Sequence, residues 1–367
     1  MLQRIKKMPL MSAEEYASFL EMQLLYNTVE SLKLYCYNYY NKQHQEGFMG
    51  KFRWAYIGCG GIANSTAKEI VNGNHIITSV YSRNFDKAVG FAEKYNAQAF
   101  DDFDKAVNRD DVDGVYIATP HTSHVDYAVR AMELGKPVLC EKPVGVTTKD
   151  VDILTETAKR NQTYFCEAMW TWFSDVALTV KKWVDKKLIG DIKSVTINYA
   201  FPGILMPKTS RVLTPSTAGG ALLDIGIYPI TYCYNLFGVP GKITCKGTLK
   251  NGIDIKETVI LEYENFKCTL NMSLCSLKEN CIIKGSEGEI SLPAFFHMAS
   301  KAILKNKNGK EVFNGKTDYL TEFTRAAEEI KAGKTESDYI PMSATRECMK
   351  IMDECRRQMK LVYPFEL

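Results

Sequence analysis

A glycine-rich turn near residue 60 carries the most specific chemical signal in the sequence. An apolar run is followed there by a G-x-G-x-x-A pattern consisting of Gly58, Cys59, Gly60, Gly61, Ile62 and Ala63. Gly58 permits a tight turn, Gly60 lets a pyrophosphate approach the backbone, and Ala63 lets the next helix pack on the strand. The N-terminus of that helix offers unpaired N–H groups to phosphate. The pattern therefore predicts dinucleotide binding, with a glycine turn needed only for packing as the alternative.

The end of the second apolar run indicates which dinucleotide is bound. Sites specific for NAD usually place Asp or Glu about 20 residues after the glycines to hold the ribose hydroxyls. This sequence has Ser82 and Arg83 there, and a guanidinium pairs with a 2′-phosphate and stacks on adenine. NADP is therefore predicted in preference to NAD. In the alternative interpretation Arg83 is solvated, and Asp86 or another group holds the ribose.

The elements that position these residues alternate between apolar strands and helices. The strands are expected at 52–58, 76–82, 113–119 and 137–141, and the helices near 61–71, 85–95 and 123–135. Nearly continuous apolar strands separated by helices are typical of a parallel sheet covered on both faces. We therefore expect an α/β Rossmann domain, a doubly wound parallel sheet.

After about residue 150 the pattern changes. Helices at 148–160 and 175–188 flank a strand at 163–168, and strand-like runs follow near 192–201, 242–249, 254–264, 267–276 and 280–285. One helix around 219–237 interrupts these runs, and helices near 318–333 and 342–360 close the chain. Turn signals such as Asn251-Gly252 predict an α+β C-terminal domain with a large, mostly antiparallel open sheet.

The expected domains are a helical extension (1–50), a Rossmann domain (51–172) and a substrate-binding and dimerisation domain (173–367), whose last helix can pack back on the Rossmann domain. In the extension, Ser12 and Glu15 form a capping-box pattern, and helical spacing continues to about Tyr40. This segment packs on the body, mediates oligomer contacts or is partly disordered. An open alternative is that native translation begins at Met49.

Composition excludes several classes of function. The 367 residues carry 46 basic and 43 acidic side chains without a basic stripe, which argues against nucleic-acid binding. No run of 18 apolar residues could span a membrane. Eleven cysteines without a C-x-x-C pair, and no export signal, predict a reduced cytoplasmic protein. Five scattered histidines predict no metal site.

From Phe52 to the C-terminus the chain resembles the Gfo/Idh/MocA oxidoreductase family. The resemblance rests on the glycine turn, on Glu141-Lys142-Pro143, on the segment Gly219 to Tyr228, and on Thr119-Pro120-His121-Thr122-Ser123-His124. Glu167-Ala168-Met169-Trp170-Thr171 and Leu361-Val362-Tyr363-Pro364 resemble the dihydrodiol and xylose dehydrogenase branch. Many relatives have His at the position of Tyr228 and Arg at that of Trp172, and the extension before Met49 has no counterpart.

The resemblance implies catalytic roles for Lys142, Tyr228 and Asp224. Lys142 ends a parallel strand, where doubly wound sheets place their ligands. Asp224 and Tyr228 are four residues apart and share a helix face. A phenol has a pKa of about 10, so Tyr228 needs a cationic neighbour such as Lys142 to act as a base. Asp224 would then orient Lys142 or a substrate hydroxyl. The alternatives are a buried helix tyrosine and a helix-stabilising aspartate.

Other residues are expected around this centre. Thr119, Pro120, His121 and His124 contact the nicotinamide, although His124 is equally suited to capping the next helix. Glu141 positions the loop and the ribose. Trp170 and Trp172 form an apolar wall for a ring substrate or belong to the core. Arg211 reaches substrate hydroxyls or lies on the surface.

Together these residues predict an NAD(P)-dependent oxidoreductase that moves a hydride between nicotinamide and a secondary alcohol or carbonyl of a sugar, polyol or cyclic trans-diol. The alternatives are a non-catalytic dinucleotide-sensing regulator of the same fold and an enzyme acting on a non-sugar acceptor, as in biliverdin reductase. An open sheet with one uncovered face predicts a homodimer or a dimer of dimers.

Overall fold

The structure is a computed structural model, and it describes residues 50–367. The predicted helix that ends near Tyr40 lies outside the described residues, as does the rest of the expected extension up to residue 49. Two sheets organise the described part of the chain.

The first sheet is parallel and has the strand order β3-β2-β1-β4-β5-β6. Its strands are β1 (Phe52–Ile57), β2 (His75–Tyr81), β3 (Gln98–Phe100), β4 (Gly114–Ile117), β5 (Val138–Glu141) and β6 (Phe165–Ala168). Its helices are α1 (Gly61–Ile70), α2 (Phe85–Tyr95), α3 (Phe103–Val107), α4 (His124–Glu133) and α5 (Thr148–Asn161). The predicted doubly wound sheet is confirmed. Its third strand and the short helix after it were not predicted, because three and five residues are too few to show a period.

The second sheet has eight strands in the order β14-β13-β12-β11-β7-β10-β9-β8, and only β7 and β10 pair in parallel. The strands are β7 (Ile192–Ala200), β8 (Lys242–Lys250), β9 (Ile253–Glu262), β10 (Lys267–Ser273), β11 (Lys278–Gly285), β12 (Gly288–Leu292), β13 (Lys301–Asn306) and β14 (Gly309–Asn314). The predicted mostly antiparallel sheet is confirmed. Its last three strands were not predicted; β14, an edge strand, is exposed almost throughout and so lacks an apolar face.

The remaining long helices pack against these sheets. They are α6 (Asp175–Asp185), α7 (Ile227–Phe237), α8 (Leu320–Lys331) and α9 (Met342–Met359). Among the described residues, no helix combines the length and the apolar composition needed to cross a bilayer.

The helix predicted over 219–237 begins differently from a simple α-helix. A π-helical turn, Leu222–Gly226, precedes α7. The carboxylate of Asp254 on β9 accepts a 2.6 Å hydrogen bond from the Leu222 N–H and so anchors the start of this turn. Such π turns widen the backbone spiral locally and occur often at functional sites.

The two C-terminal helices contact the Rossmann elements, and α9 also bonds to β8 of the second sheet through Gln358. On α9, Thr345 donates a 3.0 Å hydrogen bond to Glu167 on β6, and Arg346 pairs with Asp152 on α5. On α8, the fully buried Phe323 lies among Trp54, Tyr56 and Tyr116 with centroid distances of 4.8 to 6.4 Å.

We expect Phe323→Ala to lower the free energy of unfolding by about 3–5 kcal/mol, because it leaves a cavity among aromatic rings that cannot collapse. Urea denaturation measures the loss. Phe365→Ala is the matched control, since Phe365 is 49% exposed and its loss opens no enclosed space. Equal losses in the two variants would show that α8 does not depend on this contact.

Candidate functional site

The glycine turn forms an open cradle at the carboxyl end of β1. Gly58 has a φ of +102°, and a Cβ there would lie 2.6 Å from the carbonyl oxygen of Ala118. At Gly60 and Gly61 an added Cβ would meet no atom within 4 Å. Gly60 caps α1 without a side-chain hydrogen bond, so the first N–H groups of the helix keep no side-chain partner. This arrangement fits a pyrophosphate. Ala63 is buried against the sheet and Ile62 packs at the margin of the core.

A pocket continues from this cradle towards the end of β2. Its lining includes Gly58, Cys59, Tyr81, Ser82, Arg83, Ala118, Thr119, Pro120 and Tyr127. Arg83 is exposed at its rim and Ser82 is half-buried. Burial raises the pKa of the Cys59 thiol to about 11. Hydroxyl, guanidinium and aromatic groups at this place fit the adenosine end of NADP, including its 2′-phosphate.

His124 joins two loops of the Rossmann edge. Its Nδ1 lies 2.8 Å from the carbonyl oxygen of Pro143, and its Nε2 lies 2.7 Å from that of Thr119. The ring is fully buried, and burial lowers its pKa to about 4. The side chain therefore holds the loop after β4 against the loop after β5, where the Lys142–Pro143 peptide bond is cis.

Glu141 lies beneath this edge. It is buried and accepts a 2.6 Å hydrogen bond from the hydroxyl of Tyr116 on β4. Burial raises the pKa of its carboxyl group. Glu141 thus joins the end of β5 to β4 through Tyr116, and its expected role in positioning the loop and the ribose stays a prediction.

Lys142 projects from the end of β5 towards the π turn. Its Nζ donates a 2.9 Å hydrogen bond to the backbone oxygen of Asp224 and lies 4.3 Å from the ring centroid of Tyr228. Burial lowers the pKa of the ammonium, and the negative charges of Asp224 and Glu141 oppose that shift. Lys142 and Tyr228 are neighbours in the structure, with the ammonium lying over the ring of Tyr228; their catalytic roles stay a prediction.

Tyr228 begins α7 and is buried. Its hydroxyl accepts a 3.3 Å hydrogen bond from the indole N–H of Trp170. Burial raises the pKa of Tyr228 well above its ordinary value, and Glu141 adds to the rise. The sequence interpretation expected Lys142 to lower this pKa; in the structure desolvation outweighs the cation.

The Asp224 carboxylate pairs with Arg211, while Lys142 donates to the Asp224 backbone oxygen. The carboxylate accepts a 2.5 Å hydrogen bond from Arg211, whose other nitrogen lies 2.9 Å from Nε2 of His121. Burial lowers the pKa of His121 well below its ordinary value. Arg211 is thus part of a hydrogen-bonded row that joins the loop after β4 to the π turn.

The two tryptophans occupy different places. Trp170 contacts Tyr228 and packs on Tyr319 with a centroid distance of 4.9 Å. Trp172 is buried and stacks on Tyr234 at 6.4 Å with an interplanar angle of 11°. Of these two tryptophans, Trp170 is the one that contacts Tyr228 by ring packing and by a hydrogen bond.

Three residues beside Tyr228 were not predicted from the sequence. Tyr199, Glu279 and His297 come from β7, β11 and the loop before β13, and they carry no motif. The ring centroids of Tyr199 and His297 lie 5.7 and 5.2 Å from that of Tyr228.

Comparison with known proteins relates both sheets to one family. Residues 52–168 match the model of an oxidoreductase family with an NAD-binding Rossmann fold, Gfo/Idh/MocA, and residues 177–291 match the Gfo/Idh/MocA C-terminal domain. Scyllo-inositol 2-dehydrogenase (NADP(+)) IolU of Bacillus subtilis is 33% identical over 300 residues, which are 78% of this chain and 90% of that protein.

Two more distant matches also cover almost the whole length of the matched protein. Trans-1,2-dihydrobenzene-1,2-diol dehydrogenase of Xenopus laevis is 27% identical over 336 residues, covering 85% of this chain and 99% of its own. The crystal structure of KijD10, a 3-ketoreductase from Actinomadura kijaniata in complex with NADP and TDP-benzene, aligns with a TM-score of 0.77 at 21% identity. That alignment covers 84% of this chain and 98% of KijD10, and it shows the shared fold.

We expect Gly58→Ala to cost more stability than Gly135→Ala. Both glycines have positive φ, so both variants lose about 1–2 kcal/mol to left-handed strain. Only at Gly58 does the new Cβ collide with backbone, which adds about 1–3 kcal/mol. Chemical denaturation of the two variants measures the difference, and equal midpoints would contradict the tight turn described above.

Proposed function

Because the chain belongs to the Gfo/Idh/MocA family of NAD(P)-dependent oxidoreductases, we propose that it interconverts a secondary hydroxyl and a carbonyl on a hydroxylated ring, with NADP as cofactor. The observation that best supports this proposal is the position of Lys142, whose ammonium lies 4.3 Å from the ring centroid of Tyr228. Lys142 directly follows β5. This strand lies in the same sheet as β1, which leads into the phosphate cradle. The same edge thus offers both dinucleotide-binding groups and acid–base groups.

In this proposal Gly60, Gly61 and the N-terminus of α1 hold the pyrophosphate, while Ser82 and Arg83 hold the 2′-phosphate. The loop after β4 is proposed to contact the nicotinamide through Thr119, Pro120 and His121, between the phosphate cradle and Lys142. When bound, the nicotinamide accepts or supplies the hydride. The chain itself binds and orients the reactants, excludes water and moves the proton.

Tyr228 and Lys142 are the groups proposed to move that proton. The raised pKa of Tyr228 keeps its hydroxyl protonated near neutral pH, which suits donation to the substrate oxygen during carbonyl reduction. In the reverse direction, alcohol oxidation, the proton returns to the phenolic oxygen of Tyr228, and the positive charge of Lys142 favours the deprotonated phenol that this step requires. Asp224 holds the ammonium through its backbone oxygen and holds Arg211 through its carboxylate.

The names of two relatives support the substrate class. One is named for scyllo-inositol and the other for a trans-1,2-diol of a dihydrobenzene ring. Both compounds are six-membered rings with hydroxyl groups on adjacent carbons. We therefore propose a cyclic polyol or diol as the substrate of this chain.

The proposal also includes the cellular setting, the assembly and the domain division expected from the sequence (51–172 and 173–367). The described cysteines are free and mostly buried, which suits a reducing cytoplasm.

A homodimer or dimer of dimers would use the face of the second sheet that carries Asn198, Asn271 and Asn280. These side chains form a hydrogen-bonded row across β10, β7 and β11.

Tyr228→Phe is expected to lower kcat/KM for oxidation of scyllo-inositol by about 10²–10⁴-fold, because the proton-transfer group is lost. The Kd for NADPH, measured by fluorescence titration, should stay unchanged. Lys142→Met should lower turnover similarly. Tyr234→Phe, a half-buried phenol on the same helix, is the matched control. Full activity of Tyr228→Phe on every cyclic polyol and diol tested would refute the catalytic assignment.

Arg83→Gln is expected to raise the Kd for NADPH about 10–100-fold and to leave that for NADH unchanged, because one charge-assisted contact to the 2′-phosphate is lost. Titration with both dinucleotides measures the ratio. Lys94→Gln on α2 is the control for a general change in surface charge. Parallel weakening of both cofactors would argue against 2′-phosphate recognition by Arg83.

A further inference from the structure

A carboxylate, an imidazole and a phenol form a hydrogen-bonded row next to Tyr228. Tyr199 and Glu279 are directly paired on β7 and β11, so their side chains share the inner face of the sheet. His297 comes from the loop between β12 and β13, where Phe295 adopts a left-handed backbone with a φ of +48°. The turn at Phe295 is followed by Phe296 in the core and His297 beside Tyr199.

The order of donors in this row follows from its chemistry. Glu279 accepts a short hydrogen bond from Nδ1 of His297, and their side chains are 7% and 12% exposed. In the neutral imidazole that carries its proton on Nδ1, the other nitrogen is an acceptor. It lies 3.2 Å from the hydroxyl oxygen of Tyr199, which therefore donates to it. The phenolic oxygen keeps its acceptor lone pairs, and burial raises the pKa of Tyr199 and so keeps it protonated.

Tyr199 and His297 of this row contact the ring of Tyr228, over which the ammonium of Lys142 also lies. The Tyr199 and His297 rings stack at 4.6 Å with an interplanar angle of 18°. Trp170 contacts His297 at 5.8 Å and donates its N–H to the Tyr228 hydroxyl. Trp170, Tyr199, Tyr228 and His297 thus form a wall of aromatic rings, and the hydroxyl groups of Tyr228 and Tyr199 add polar groups to it.

We propose that Tyr199, oriented by His297 and Glu279, accepts a hydrogen bond from a second substrate hydroxyl next to the one that is oxidised. This inference rests on the proposed function and adds a specificity determinant to it. Tyr199 contacts the substrate, whereas His297 and Glu279 are positioning residues. The preferred substrate is accordingly a vicinal diol or polyol ring, and a ring with a single hydroxyl binds more weakly.

The test compares trans-cyclohexane-1,2-diol with cyclohexanol, two rings that differ by one hydroxyl. The wild type should prefer the diol, and Tyr199→Phe should lower kcat/KM for the diol about tenfold while leaving cyclohexanol unchanged. Calorimetric titration of the diol into the NADPH complex should show the same loss as a higher Kd. Glu279→Gln should lower the diol preference in the same direction by freeing His297 to rotate.

Tyr232→Phe is the matched control, because the buried hydroxyl of Tyr232 has no hydrogen-bond partner among the described residues and its ring packs on Phe296. An unchanged diol-to-cyclohexanol ratio in Tyr199→Phe, or equal losses on both substrates, would overturn the inference alone. A wild type that binds NADPH but turns over no hydroxylated ring would instead overturn the proposed function, and the inference with it.

Discussion

The buried ammonium of Lys142 is the constraint on which the rest of the site depends. Removing a cation from water costs several kcal/mol unless close partners compensate for it. Here the compensation comes from the backbone oxygen of Asp224, the face of the Tyr228 ring and the charge of Glu141. Only Glu141, the last residue of β5, directly precedes Lys142 in the chain; the other two lie on the π turn and at the start of α7. The ammonium therefore has all of its protein partners only when the π turn and α7 are docked on the Rossmann edge, so the two parts of the site are assembled together.

A second buried carboxyl group extends this coupling to the C-terminal helix. Glu167 accepts hydrogen bonds from the backbone N–H of Val144 and from the hydroxyl of Thr345. It therefore fastens the loop that follows Lys142 to α9. Burial raises its pKa to about 7, while the positive charge of Lys142 acts in the opposite direction. Near neutrality the group exchanges between a form that accepts from both partners and a protonated form that is a weaker acceptor. The position of the lysine loop is thus linked to the protonation of Glu167.

The sequence predicted the parts of the molecule whose signals are local. Gly58 and the alternation of apolar strands with helices after Phe52 indicated the Rossmann sheet. The backbone conformation of a turn and the burial pattern of a strand are each set by residues only a few positions apart. The pairing of Lys142 with Tyr228 required the family resemblance, since 86 positions separate them. The row of Tyr199, Glu279 and His297 could not be found this way. Its members meet through strand register and a left-handed turn at Phe295, and neither leaves a pattern in the sequence. The π turn was missed for a related reason, because its anchor, Asp254, lies about 30 residues further along the chain.

Two groups of residues around Tyr228 differ in their electrostatics. Lys142 and Glu141 at the Rossmann edge, with Asp224 on the π turn and its partner Arg211, form a charged network in a low-dielectric setting, where protonation of one group changes the pKa of the others. On the sheet side, the charge of Glu279 is separated from the ring wall by His297, so Tyr199 presents a neutral oxygen. A neutral acceptor can bind a substrate hydroxyl without altering the pKa of Tyr228 as much as a carboxylate in the same place would. In the proposed role of Tyr199, recognition by an uncharged phenol would therefore select the substrate without disturbing the proton equilibrium that the reaction requires.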